Sequence, residues 1–148
     1  MDIQPPPSDA EALTDPDRQL VERACEATAA ALDPAYFDGA HMVGAAVRTT
    51  DDEVFTGVSQ PASVGRASVC AEPAALSAAR IAGADGFAAS AAVRHPLPDE
   101  DREFELVSAC GVCRELLCDY DESCAVIFPT TEGPRKTPVE SLLPTRHW

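Results

Sequence analysis

Pro73 constrains the fold of this chain more than any other residue. It lies inside CAEPAALSAARIAG (70–83), an alanine-rich run with helical composition. Proline is tolerated in a helix only in the first turn, so the helix must start at or just before Cys70. Cys70 and Glu72 therefore stand together at a helix beginning. A second stretch, SACGVCRELL (108–117), sets Cys110 and Cys113 at the start of another helix, roughly 111–118. Three thiols and one carboxylate thus occupy two helix beginnings, where unpaired backbone N–H groups favour negative charge.

The spacing narrows what those groups can do. Cys110-x-x-Cys113 alone fits either two metal ligands or a thiol–disulfide redox pair. The redox reading leaves Cys70 and Glu72 without a role. Three cysteines supply three zinc ligands and leave a fourth tetrahedral position for water, the layout of a catalytic rather than a structural site. None of His41, His95 and His147 has the spacing of a fourth ligand. Glu72, two residues beyond Cys70, can stand beside the metal and move protons to and from an activated water. Taken singly, Glu72 would only complement the helix dipole.

The rest of the chain reads as an α/β layer fold. Residues 1–14 lack a sustained period and read as a mobile tail; residues 15–148 read as a single domain. Asp15-Pro16 reads as an N-cap and first helical position. Leu20, Val21, Ala24, Cys25, Thr28, Ala31 and Leu32 then mark one buried helical face. HMVGAAVRT (41–49) and EVFTGV (53–58) flank a Thr-Asp-Asp turn as a hairpin. Gly44, Ala45 and Ala46 suit a strand on which another element packs closely. FAASAAVRH (87–95), FELVS (104–108) and CAVIF (124–128) supply three more strands, and VESLLP (139–144) a last short helix. The expected architecture is three-layer α/β/α with a mixed five-stranded sheet.

Composition excludes several functions. The net charge of −14, with Lys136 the only lysine, repels phosphate backbones and anionic membranes, so neither nucleic acid nor membrane is an expected partner. An acidic, lysine-poor surface fits life at high salt, where screening removes self-repulsion. The first residues lack a basic start and an apolar core, so the expected location is cytoplasmic. In a reducing compartment six cysteines do not imply three disulfides, and Cys25, Cys118 and Cys124 read as small buried side chains.

Cys70-Ala71-Glu72 together with Cys110-Gly111-Val112-Cys113-Arg114 resembles the zinc-dependent cytidine deaminase superfamily. The likeness is closest to the small tetrameric cytidine deaminases and the blasticidin-S deaminases. It extends through LVERA (20–24), VGAAV (43–47), VFTGV (54–58) and ESLLP (140–144). The resemblance implies a cytidine deaminase-like fold and Zn²⁺ on Cys70, Cys110 and Cys113. It also implies water attack at C4 of a cytosine-like ring, with Glu72 moving the protons. It places the Ala71 N–H and the Ser108 carbonyl at the ring edge and amine, and His41 and Ser59 among the substrate contacts. Arg114 would offset thiolate charge. A nucleoside-like small molecule, a homotetramer and a role in pyrimidine salvage follow from the same likeness. The departures are specific. Ala109 stands where the family has proline, and Pro73 where it has arginine. Ser59-Gln60-Pro61 replaces the Asn-x-Glu that holds ribose, and His41 replaces a phenylalanine. They leave open a non-standard substrate such as blasticidin S, or a catalytically silent zinc-bearing oligomer.

Overall fold

A computed structural model describes residues 3–145. His147 and the other terminal residues of the expected domain lie outside the described residues. The elements are β1 (Glu11–Ala12), α1 (Asp15–Ala31), β2 (Val43–Thr49), β3 (Val54–Val58), α2 (Ala71–Ile81), β4 (Phe87–Arg94), β5 (Glu105–Val107), α3 (Gly111–Tyr120), β6 (Ala125–Phe128) and β7 (Arg135–Pro138). Short 3₁₀ turns span Gly65–Ala67 and Val139–Leu142. No helix among the described residues is long and apolar enough to cross a membrane.

The strands form one mixed sheet in the order β1-β7-β6-β4-β2-β3, with β5 also paired to β4. Only the β4–β6 pairing is parallel. Two cores lie on opposite faces. Leu20 and Ala24 of α1 pack with Ala46, Ala89, Ala91, Val93 and Ile127. Residues of α2 and α3 pack with Ala45, Val47, Ala92 and Val126. The alternation along β2 thus assigns odd positions to the α2/α3 face and even ones to the α1 face. Helix α1 sits so close that a Cβ on Gly44 would overlap the Ala24 carbonyl and reach within 2.9 Å of the Thr28 backbone.

The three layers are present, but the sheet has seven strands instead of five. The two additional strands show no apolar alternation. Strand β7, Arg-Lys-Thr-Pro, is held by backbone pairing to β6 and by the Lys136 ammonium on Asp17 at 2.7 Å. Part of the segment expected as a tail forms β1, paired to β7 through Glu11–Lys136 and Ala12–Arg135. Helix α1 begins one residue earlier than read: Thr14 is its N-cap, with a capping box to Asp17. VESLLP forms a 3₁₀ turn instead of a helix, since only five residues separate Pro138 from Pro144.

Candidate metal centre

Helices α2 and α3 begin side by side under the sheet. Cys70 is the N-cap of α2, and Cys110 is the N-cap of α3. Cys113 lies in the first turn of α3. The Sγ atoms of Cys70 and Cys110 are 3.6 Å apart, and all three sulfurs lie within 4.8 Å of one another. Cys70 and Cys110 are exposed and Cys113 is buried. Two close approaches permit this arrangement. Gly57 of β3 lies against the first turns of α2, where a Cβ would come within 2.7 Å of the Ala74 Cβ and 2.8 Å of the Ala71 carbonyl. Ala71, Ala75 and Ala79 then present no more than a methyl to the sheet.

The sulfurs titrate unequally. Cys113 is pushed far up by its burial and by the negative charges of Glu72, Cys110 and Cys70. Burial, and then Cys110 and Glu72, also raise Cys70. Burial opposes ionisation of Cys110, but the N–H groups of Cys113 and Val112 and the neighbouring thiols outweigh it, so its thiol is lowered. Three thiols this close cannot all ionise without a cation between them. A soft-ligand divalent ion meets that need, so the donor set fits Zn²⁺.

Glu72 is only 3% exposed. Its charge acts on Cys113 and Cys70. A nearly buried carboxylate whose charge falls on the sulfurs is a candidate for acid–base chemistry at this centre.

The remaining expected site residues fall into two groups. Ala71 opens α2, and exposed Ser108 lies just after β5, two residues before Cys110. Ser59 directly follows β3; its N–H donates to the Val43 carbonyl at 2.8 Å and its Oγ accepts the Val43 N–H at 3.2 Å. The His41 Nδ1 lies 2.7 Å from the Ser59 carbonyl. Gln60 and Val69 form a two-bond bridge that carries this corner to Cys70. Arg114 donates from Nε to the Ala109 carbonyl at 2.9 Å, which fixes the lead-in to Cys110. It also borders a cavity of about 440 Å³ shared by Ser108 and the N-terminal segment. Sequence reasoning missed Thr28, whose hydroxyl donates to the His41 carbonyl at 2.8 Å. Its place on the buried face of α1 was legible, its second bond was not.

A three-layer α/β fold with three cysteines and a carboxylate at two adjoining helix starts defines a site that could hold a metal ion beside an acidic side chain. No protein-family model matches the chain. It is 40% identical over 136 residues to the blasticidin-S deaminase of Bacillus cereus, covering 91% of this chain and 94% of that protein. The cytidine deaminase of Burkholderia pseudomallei superposes with a TM-score of 0.69 at 28% identity, over 91% of this chain and all of that one. The Mycobacterium tuberculosis cytidine deaminase shares the fold, with a TM-score of 0.68 at 24% identity over 88% of this chain and 96% of that one. The chain belongs to the cytidine deaminase-like superfamily that includes blasticidin-S deaminase.

Proposed function

We propose that the protein hydrolytically deaminates a cytosine nucleoside or an analogue of one, with Zn²⁺ held by Cys70, Cys110 and Cys113 and with Glu72 as proton carrier. One observation carries this reading: three converged sulfurs stand beside a nearly buried carboxylate whose charge acts on two of them. Bound there, Zn²⁺ would supply the Lewis acidity that turns water into a nucleophile near neutral pH. Glu72 takes up the proton that water surrenders and passes it to ring N3, then carries a second proton to the exocyclic amine. Oxygen joins C4, the C4–N bond breaks and ammonia leaves, so cytosine plus water becomes uracil plus ammonia. The Ala71 N–H, one of the orphan donors of α2, is suited to the ring edge, and the Ser108 carbonyl to the amine. Arg114 serves by holding the Ala109 carbonyl in place ahead of Cys110.

Two features favour blasticidin S over cytidine as the substrate: the 40% identical relative bears that name, and Pro61 removes the carboxylate that would hold ribose. The test is metal content together with ammonia release from cytidine, deoxycytidine, blasticidin S, cytosine and guanine. Stoichiometric zinc with release from at least one cytosine compound is expected. A folded, zinc-loaded protein inert on all of them overturns the reading in favour of a silent scaffold. The same reading places the enzyme in the cytoplasm as a homotetramer, whose mass light scattering would give directly.

A further inference from the structure

We propose that His41 is a specificity residue, a neutral hydrogen-bond acceptor that reads an O–H or N–H donor on the part of the substrate beyond the ring. This rests on the deaminase reading above and names what the same site selects. The Ser59 carbonyl can only accept, so the His41 Nδ1, 2.7 Å away, must carry the proton. In the neutral imidazole Nε2 then presents a lone pair. Among the described residues nothing bonds that nitrogen.

Two connections tie the corner that holds this group to the metal centre. Ser59, the residue after β3, continues the face that carries Gly57, and Gly57 lies against the first turns of α2. Ser59 is therefore one step further along the face that leads to the start of α2. Gln60 next to it pairs with Val69, the residue before Cys70. Separately, His41 has φ of 60°, in the left-handed region that side-chain-bearing residues disfavour. The Thr28 hydroxyl on its carbonyl and the Ser59 carbonyl on its ring hold it there. Strain kept at one histidine by two bonds from different elements is characteristic of a group positioned for a ligand.

The chemistry follows from charge. A carboxylate acceptor at this corner would add to the charge of Glu72 and three sulfurs in a chain of net charge −14. A neutral imidazole accepts a hydrogen bond without that addition. The substrate must then offer a donor, such as a sugar hydroxyl or an amine, at this place.

The experiment uses metal-loaded protein and two readouts. First, ¹⁵N NMR of histidine-labelled Glu72→Gln protein at about pH 8.5, two units above the usual histidine value, is assigned by the signal lost in His41→Gln. The Nδ1 of His41 is expected protonated and Nε2 bare, with Nε2 shifting when cytidine or blasticidin S is added. Second, wild type, His41→Gln and His41→Phe are assayed on cytidine and its 2′-, 3′- and 5′-deoxy forms. His41→Phe is expected to raise KM by about tenfold, the scale of one lost hydrogen bond, with kcat nearly unchanged. The analogue lacking the hydroxyl that His41 reads escapes the loss, and His41→Gln, which keeps an acceptor oxygen, recovers part of it. A proton on Nε2, a bare Nε2 that no ligand moves, or an equal loss on every analogue overturns the proposal. A wild type without turnover on cytidine and on blasticidin S alike fails the deaminase reading instead, and the NMR result still decides the tautomer and contact.

Discussion

Gly57→Ala tests whether the sheet sets the spacing of the metal ligands. A Cβ at this position would lie 2.7 Å from the Ala74 Cβ and 2.8 Å from the Ala71 carbonyl, against 3.4 Å or more for ordinary contact. The Ala75 backbone nitrogen would be nearer still, so the start of α2 must retreat by about 1 Å, since neither a backbone nor a methyl can rotate aside. Cys70 caps that turn and moves with it, whereas Cys110 and Cys113 belong to α3 and stay. Zinc–thiolate bonds tolerate about 0.2 Å, so the displaced sulfur is lost as a good ligand. Overpacking itself costs about 1–3 kcal/mol of stability. The control is Gly44→Ala, whose Cβ would meet Thr28 of α1 at 2.9 Å on the opposite face. Both variants should melt at lower temperature. Only Gly57→Ala should lose zinc to a competing chelator, by tenfold or more, a margin of at least ~1.4 kcal/mol. Equal zinc affinity in the two variants would refute the idea that β3 sets the ligand spacing.

The other expectations are more local. Glu72→Gln should lower kcat by about 10²–10⁴, the usual share of a general acid–base group, while zinc content measured by atomic absorption stays stoichiometric. Asp17 is fully buried, opposed by desolvation yet held below the ordinary carboxylate range by Lys136 and Thr14, and it also takes a 2.9 Å bond from Arg48. A depressed folded value stabilises at pH above the unfolded value and is lost as pH falls through the folded one. Asp17→Asn should thus cost about 3 kcal/mol at pH 7, the penalty for breaking a buried pair, with the deficit shrinking under acid in pH-dependent urea titrations. Raising NaCl from about 0.1 M to 1 M shortens the screening length from about 10 Å to 3 Å and should raise the melting temperature, because a net charge of −14 repels itself.

The site was more legible in the sequence than the sheet was. Pro73 and the Cys110-x-x-Cys113 spacing encode local geometry, so the helix starts they imply are found where expected. The hairpin and the small-residue face of β2 followed from alternation and from Gly44. Strand β1 did not follow, because it pairs across more than a hundred residues, and β7, though paired to neighbouring β6, is fixed by a long-range Lys136–Asp17 contact instead of apolar alternation. Neither leaves a period in the local sequence. The orientation of His41 was hidden for the same reason: its ring is set by Ser59, eighteen residues on, and its carbonyl by Thr28.

Pro73 has a second effect, on the thiol beside it. Cys70 and Cys110 hold the same position, each the N-cap of its helix. An N-cap group is stabilised by the N–H of the third helical residue. For Cys110 that residue is Cys113, whose N–H favours the thiolate, and the Cys110 thiol is lowered. For Cys70 it is Pro73, which has no N–H, and the Cys70 thiol is raised by burial, Cys110 and Glu72, which the Cys113 thiol only partly offsets. Pro73→Ala supplies the missing donor without adding bulk. In metal-free protein Cys70 should then ionise at lower pH, read as alkylation rate against pH in a background where Cys110 and Cys113 are serine. In the three-cysteine protein zinc should bind more tightly near pH 6, where protons compete with the metal for sulfur. Alkylation profiles that coincide with and without the proline would mean that burial alone sets the Cys70 thiol.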